Sequence, residues 1–225
     1  VFNLTLSPFN DATTSFFPRS VGGYLGAKVA RYQDLIDRYL SHNDEKILDM
    51  LNTRYAIVPN GAGAPTAVRR PTPNGAAWLV QNLATASMAQ GEIDLLGQID
   101  TKTTAVVQKT MTQPIGTGTI TLAEYRPNYL RYEYTADAAA VAVFSEIYYD
   151  KGWSVSIDGV EAPYFRADYV LRAMELPAGT HTVEWRFRAP HWAAVEAVTL
   201  ISSLLILLGL VAAAIYAYCK KEKSA

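Results

Sequence analysis

From Gly116 onward, apolar and polar side chains alternate in short runs separated by turn residues. "TITLAEY", "YLRYEYTA", "AAVAVFSEIYY", "GWSVSID", "VEAPYFR", "YVLRAMEL" and "HTVEWRFR" follow one another at roughly ten-residue spacing. Runs rich in β-branched and aromatic residues, so spaced, predict an antiparallel, jelly-roll-like sandwich over residues 116–190. Asp158-Gly159 is a two-residue hairpin signal, because a type I′ turn needs positive φ at both central positions. That register sets Ile157 against Val160, Val155 against Ala162 and Trp153 against Tyr164 on one apolar face. In the last run Val183, Trp185 and Phe187 alternate with Glu184, Arg186 and Arg188. Trp153 and Trp185 are therefore expected in the core, and Asp158 as a turn former rather than an acid catalyst.

Before Gly116 the period lengthens. In "GGYLGAKVARYQDLIDRYL", Leu25, Val29, Tyr32, Ile36 and Tyr39 recur at steps of four and three, which predicts an amphipathic helix entered from the glycines. Asn43 is the expected N-cap of a second helix, "DEKILDMLN". "RYAIV" reads as a strand closed by Pro59, and "PNGAGAPTAVRRPTPNGA" as a flexible loop. "AAWLV", a helix near "AQGEIDLLGQI" and "TTAVVQ" complete a small α+β subdomain, residues 1–115.

The end of the chain follows neither period. Ala197 to Cys219 carries no charge, and at 1.5 Å per residue it reaches roughly 34 Å, enough for a hydrocarbon core of about 30 Å. Trp192 precedes the run, Tyr216 and Tyr218 close it, and Lys220, Lys221 and Lys223 follow. Interfacial rings and a positive-inside end predict a transmembrane helix over 191–219, a cytoplasmic tail over 220–225, and everything before Trp192 on the outer side. "VFNLTLSPFND" offers no export signal. The expected whole is therefore a longer membrane protein whose upstream transmembrane segments carry this region across.

Composition narrows the rest. A net charge of −1 gives no electrostatic basis for binding nucleic acid. Cys219 is the single cysteine, so the outer part must hold together by packing. His42, His181 and His191 show no metal-ligand spacing. "GGYLGAK" lacks the spacing and the Ser or Thr of a nucleotide loop. Gly22, Gly23 and Gly26 ahead of a helix, with Lys28 and Arg31 in its first turns, still suit a lipid-linked phosphate. Arg166, Asp168 and Arg172, around one turn of the sandwich, could contact a hydroxylated or charged glycan; a surface ion pair across the hairpin is the plainer outcome.

"FSEIYYDKGWSVSIDGVEAPYFRADYVLRAMELPAGTHTVEWRFRAP", one apolar span and a Lys-rich end resemble the C-terminal part of the bacterial YfhO-like membrane proteins. "PFNDATTSFFPRSVGGYLGAKVARYQDLIDRYL" and "ILDMLNTRYAIV" extend the resemblance over nearly the whole chain. It implies a polytopic glycosyltransferase of the GT-C type, resident in the bacterial inner membrane, that moves sugar from a polyprenyl-phosphate donor onto cell-surface polymers. It also implies that the catalytic acid lies in an early outer loop, so no catalytic residue, metal or cofactor is assigned here. Members of this type read "FHKS" and "GGYHGAK", with His where this chain has Pro18 and Leu25. That departure points to the alternative, a non-catalytic glycan-binding or structural module. The expected fold class is thus α+β, then an antiparallel sandwich, then one transmembrane helix.

Overall fold

A computed structural model describes residues 1–222, with side chains as far as Ala217. Its elements begin with β1 (Phe2–Asn3), α1 (Thr13–Phe16), α2 (Ala30–Arg38), α3 (Glu45–Met50), β2 (Tyr55–Pro59) and β3 (Pro65–Arg69). β4 (Ala77–Val80), β5 (Asn82–Thr85), α4 (Ala89–Leu96) and β6 (Thr104–Val107) follow. Then come β7 (Gly118–Arg126), β8 (Tyr129–Ala136), β9 (Ala140–Ile147) and β10 (Trp153–Ile157). β11 (Val160–Glu161), β12 (Phe165–Ala167), β13 (Leu171–Leu176) and β14 (Gly179–Phe187) complete the strands, before the long helix α5 (Trp192–Glu222). The chain divides into two units, 1–149 with 154–186, and 150–153 with the residues from 187 onward.

The first unit is β-rich. One sheet runs β11-β10-β14-β8-β7, a second β4-β9-β13-β12-β6-β5, and a small third β1-β2-β3. The first two pack face to face through aromatic rings. Tyr132 of β8 meets Phe144 of β9 at 4.9 Å, Phe144 meets Trp185 of β14 at 5.2 Å, and Tyr164 meets Trp185 at 5.0 Å. All three pairs are edge-on, the arrangement ring quadrupoles favour.

Burial follows from which faces are covered. Along β8, Leu130, Tyr132, Tyr134 and Ala136 are buried and the residues between them are not, so its written alternation matches a one-sided strand. β9 instead opens with "AVAVF", and these first five of its positions are all buried. Phe144 faces the sandwich, while Val141 and Val143 join Leu35, Ile36, Leu40, Ile47, Leu48, Ile93 and Leu96 of the helical part in one apolar cluster. A strand covered on both sides has no polar face to alternate with. The six-stranded sheet takes β4, β5 and β6 from before residue 116 and β9, β12 and β13 from after it.

Several local expectations change. α2 begins at Ala30, not at the glycines, and Leu25 and Val29 are exposed rather than part of its stripe. Asp44, not Asn43, caps α3, its carboxylate accepting from the Ile47 N–H at 3.1 Å. Asn43 instead turns the chain at φ 58. The loop after Pro59 folds back as β3 on β2. It ends at Arg70, buried and bound to Glu45 and, at 2.5 Å, to Asp49. Pro163 divides the run "VEAPYFR" between two sheets, β11 in one and β12 in the other. A residue without an N–H cannot continue a ladder, so the chain changes sheet there.

The Asp158-Gly159 turn holds, with φ 49 and 83 and the Ile157–Val160 pairing. Asp158 accepts from the Thr182 N–H at 2.8 Å and faces His181 Nδ1 at 2.6 Å. Trp185 and Val155 are buried; Val160, near the tip, is exposed.

In the second unit, Trp153 is half-buried and packs on Phe187 at 5.3 Å. From Trp192 to Ala217 the helix α5 has mean hydropathy 2.6 and is long and apolar enough to cross a membrane. Positions 223–225 of the expected tail, Lys223 among them, lie outside the described residues, as do the side chains of 218–222.

Candidate functional site

Two irregularities in the sandwich strands open one cavity. On β7 the register shifts between Leu122 and Glu124, so Leu122 stands opposite Tyr132 and Tyr125 opposite Leu130. Leu122 and Tyr125, three residues apart, therefore share a face, which an unbroken strand forbids. On β9 the pairing with β13 shifts so that Leu171 faces Ile147 and Arg172 faces Phe144. Ser145 and Glu146 fall within that shift. Leu122, Tyr125, Ser145, Glu146 and Ile147 then line a cavity of about 610 Å³ together with Pro18, Arg19, Ser20, Tyr32, Arg54 and Tyr55. Bulges re-aim side chains beside functional sites in this way.

The charges in the cavity are ordered. The Arg19 guanidinium lies over the Tyr125 ring, 3.9 Å from its centroid. Burial raises the Glu146 carboxyl above the ordinary range, and Arg172 and Arg19 partly oppose that rise. Among the described residues the buried hydroxyl of Tyr132 has no hydrogen-bond partner, and burial, with the Glu146 charge, raises its pKa. Tyr32 is held by donating its hydroxyl to the Val21 carbonyl at 2.6 Å. Rings for stacking, guanidinium donors and one half-buried carboxyl suit a hydroxyl-rich ligand. Among the described residues, no group of three or more His, Cys, Asp or Glu is placed to hold a metal.

Sequence reasoning missed Arg19, Tyr125 and Glu146. One signal was available, since Glu146 interrupts the apolar run of β9. The bulge that gives it an opening is set by pairing to a distant strand.

The residues expected to hold phosphate do not converge on a free anion site. Gly22 N–H donates to Ser20 Oγ at 3.1 Å and Gly23 N–H to the Pro8 carbonyl at 2.7 Å. A Cβ on Gly22 would lie 2.1 Å from the Pro8 oxygen. The glycine thus permits a close backbone approach. Arg31 turns inward to Glu92 at 2.6 Å and to the Tyr169 carbonyl at 3.2 Å. A Cβ on Gly26 would meet nothing within 4 Å, and the Lys28 ammonium, ahead of the first turn of α2, donates to Gln33 Oε1 at 3.3 Å. Lys28 lines a neighbouring groove of about 460 Å³ with Leu25 and Tyr24.

Nor do Arg166, Asp168 and Arg172 form a surface cluster. Arg166 and Arg172 are cross-strand partners, but Arg172 is buried with its guanidinium 5.2 Å from the Trp185 ring centroid. Arg166 is half-buried and donates to Gln108 at 3.0 Å. Asp168 is wholly buried at φ 48 and accepts from the Val106 N–H at 2.8 Å. Burial pushes its carboxyl up to about 8, with the Glu92 charge adding to the rise. The expected surface ion pair is replaced by internal packing: the turn 168–170 lies under α2 and α4, where Glu92 also accepts from the Tyr169 N–H at 3.2 Å.

Residues 90–221, more than half of the chain, match the model of the family described as bacterial membrane protein YfhO. No curated protein and no solved structure matches the chain.

Proposed function

The chain belongs to the bacterial membrane protein YfhO family, and from that premise we propose that it is the outward-facing C-terminal region of a larger glycosyltransferase. In this reading the intact protein uses a polyprenyl-phosphate sugar in the bacterial inner membrane, and this region holds the surface glycan that receives it. Lys220, Lys221 and Lys223, which follow the apolar span Trp192–Ala217 in sequence, support the sidedness, through the resistance of clustered cations to translocation. The observation that carries the reading is the bulge-framed cavity of Arg19, Tyr125 and Glu146, whose volume of about 610 Å³ accommodates one or two sugar rings. Of the two cations considered for the donor phosphate, Lys28 lines an open groove, while Arg31 is paired with Glu92.

The test is glycan binding by the full chain in lipid nanodiscs, using polysaccharide from a bacterial envelope. Glu146→Ala and Arg19→Ala should each weaken binding about tenfold or more, the loss expected for one hydrogen bond to a charged group, with thermal unfolding unchanged. Wild-type affinity in both variants would overturn the cavity assignment. The non-catalytic alternative is favoured by the internal use of Arg31 and of the Gly22 and Gly23 N–H groups. Binding by the chain without sugar transfer by the intact protein would decide for it.

A further inference from the structure

The N-terminal part carries large apolar side chains that its own fold does not use. Phe16 and Phe17 are 80 % and 84 % exposed, and Tyr24 and Leu25 are 67 % and 62 % exposed. Ser15, next to Phe16 in the chain, links the two pairs, since it lines a groove with Tyr24 and Leu25. The Phe16 and Phe17 rings meet edge-on at 5.0 Å, and the Ser15 hydroxyl lies against Gly23. Ser15, Tyr24, Leu25, Lys28 and Val29 line one groove. Apolar patches of this kind on an otherwise polar surface mark a binding face.

Its chemistry narrows the occupant. Phenylalanine and tyrosine rings beside a lysine are the mixture that partitions into the headgroup layer, where rings enter the acyl boundary and an ammonium meets lipid phosphate. The patch comes from a single helical turn and a glycine-rich loop, as insertion between headgroups requires, and not from a flat sheet face. The chain itself ties this unit to a helix long and apolar enough to cross a membrane. Residues 188–191 alone separate β14 from α5, and an extended chain covers at most roughly 3.5 Å per residue. The tether makes lipid an intramolecular partner at high effective concentration.

We propose that Phe16, Phe17, Tyr24 and Leu25 form a second membrane contact, seated in the interfacial layer of the bilayer that α5 enters. This contact is independent of the glycan reading. It gives the first unit a hold on the lipid surface besides its peptide link to α5.

The full chain, with Cys219→Ser, is reconstituted in vesicles of phosphatidylethanolamine and phosphatidylglycerol. Phe17→Cys, Leu25→Cys and, as a reference on exposed β3, Val68→Cys carry an environment-sensitive fluorophore. Headgroup-proximal doxyl lipid should quench positions 17 and 25 several-fold more than position 68. Equal, water-like emission at all three overturns the proposal. So does burial at 17 and 25 that grows with protein density but resists doxyl lipid, which would identify a second copy as the occupant. Hydroxyl-radical footprinting of the unaltered chain is a check that needs no substitution at the patch. In vesicles, Phe16, Phe17 and Tyr24 should oxidise several-fold less than Tyr55, and oxidation equal to that of Tyr55 counts against the contact.

Discussion

The guanidinium of Arg31, in the first turn of α2, meets the fully buried carboxylate of Glu92 at 2.6 Å across 61 residues of sequence. The same carboxylate accepts from Gln108 and from the Tyr169 N–H, so one anion joins two helices to the β12–β13 turn. Removing the cation strands a charge where water cannot reach it. Arg31→Ala should lower unfolding stability by about 3 kcal/mol, measured by urea denaturation of the full chain in nanodiscs. Pairing Arg31→Met with Glu92→Gln should recover part of the loss, because the amide oxygen still accepts from Tyr169 without a buried charge.

Asp168 sets a pH dependence of defined sign. Its carboxyl titrates at about 8 when folded and near 3.8 when exposed, so between those values the folded chain holds a proton that the unfolded chain releases. Stability then falls as pH rises through that window and levels off above it. Asp168→Asn keeps an acceptor for the Val106 N–H and should flatten this part of the profile. An unchanged pH profile in the variant would show that Asp168 is not the titrating group.

Two glycines considered for phosphate binding should behave oppositely. Gly22→Ala forces a Cβ to within 2.1 Å of the Pro8 oxygen, and overpacking against backbone costs about 1–3 kcal/mol. Gly26→Ala meets open space and should be neutral or stabilise by up to about 1 kcal/mol through the unfolded state. Thermal unfolding of the two variants side by side separates packing from ligand binding as the reason for glycine at each position.

What could be read in advance follows the physics of covered and uncovered faces. β8 and β14 face water on one side, so their alternation wrote them into the sequence, as did the Asp158-Gly159 turn with its positive φ. β9 was visible as a strand, but nothing local shows that a helical layer covers its second face. The α2 boundary was misplaced because Leu25 and Val29 fit its periodicity while the chain around Gly23, at φ 125, is not helical. Arg70 falls in the run expected as a flexible loop, because the partners that bury it lie 21 and 25 residues earlier. The cavity was hidden for the same reason. Neither register shift leaves a trace in composition, since each is a property of two strands paired at a distance.

The sharing of the six-stranded sheet governs how this chain can be trimmed. A product cut at Gly116, the apparent seam in the text of the sequence, would lose β4 from one side of β9 and β6 from beside β12. Two raw strand borders and the valine-rich back of β9 would then meet solvent together, and such surfaces recruit other chains. Anyone producing the β-rich unit for crystallisation should keep the strands from β1 onward, because the shorter piece is destined for inclusion bodies.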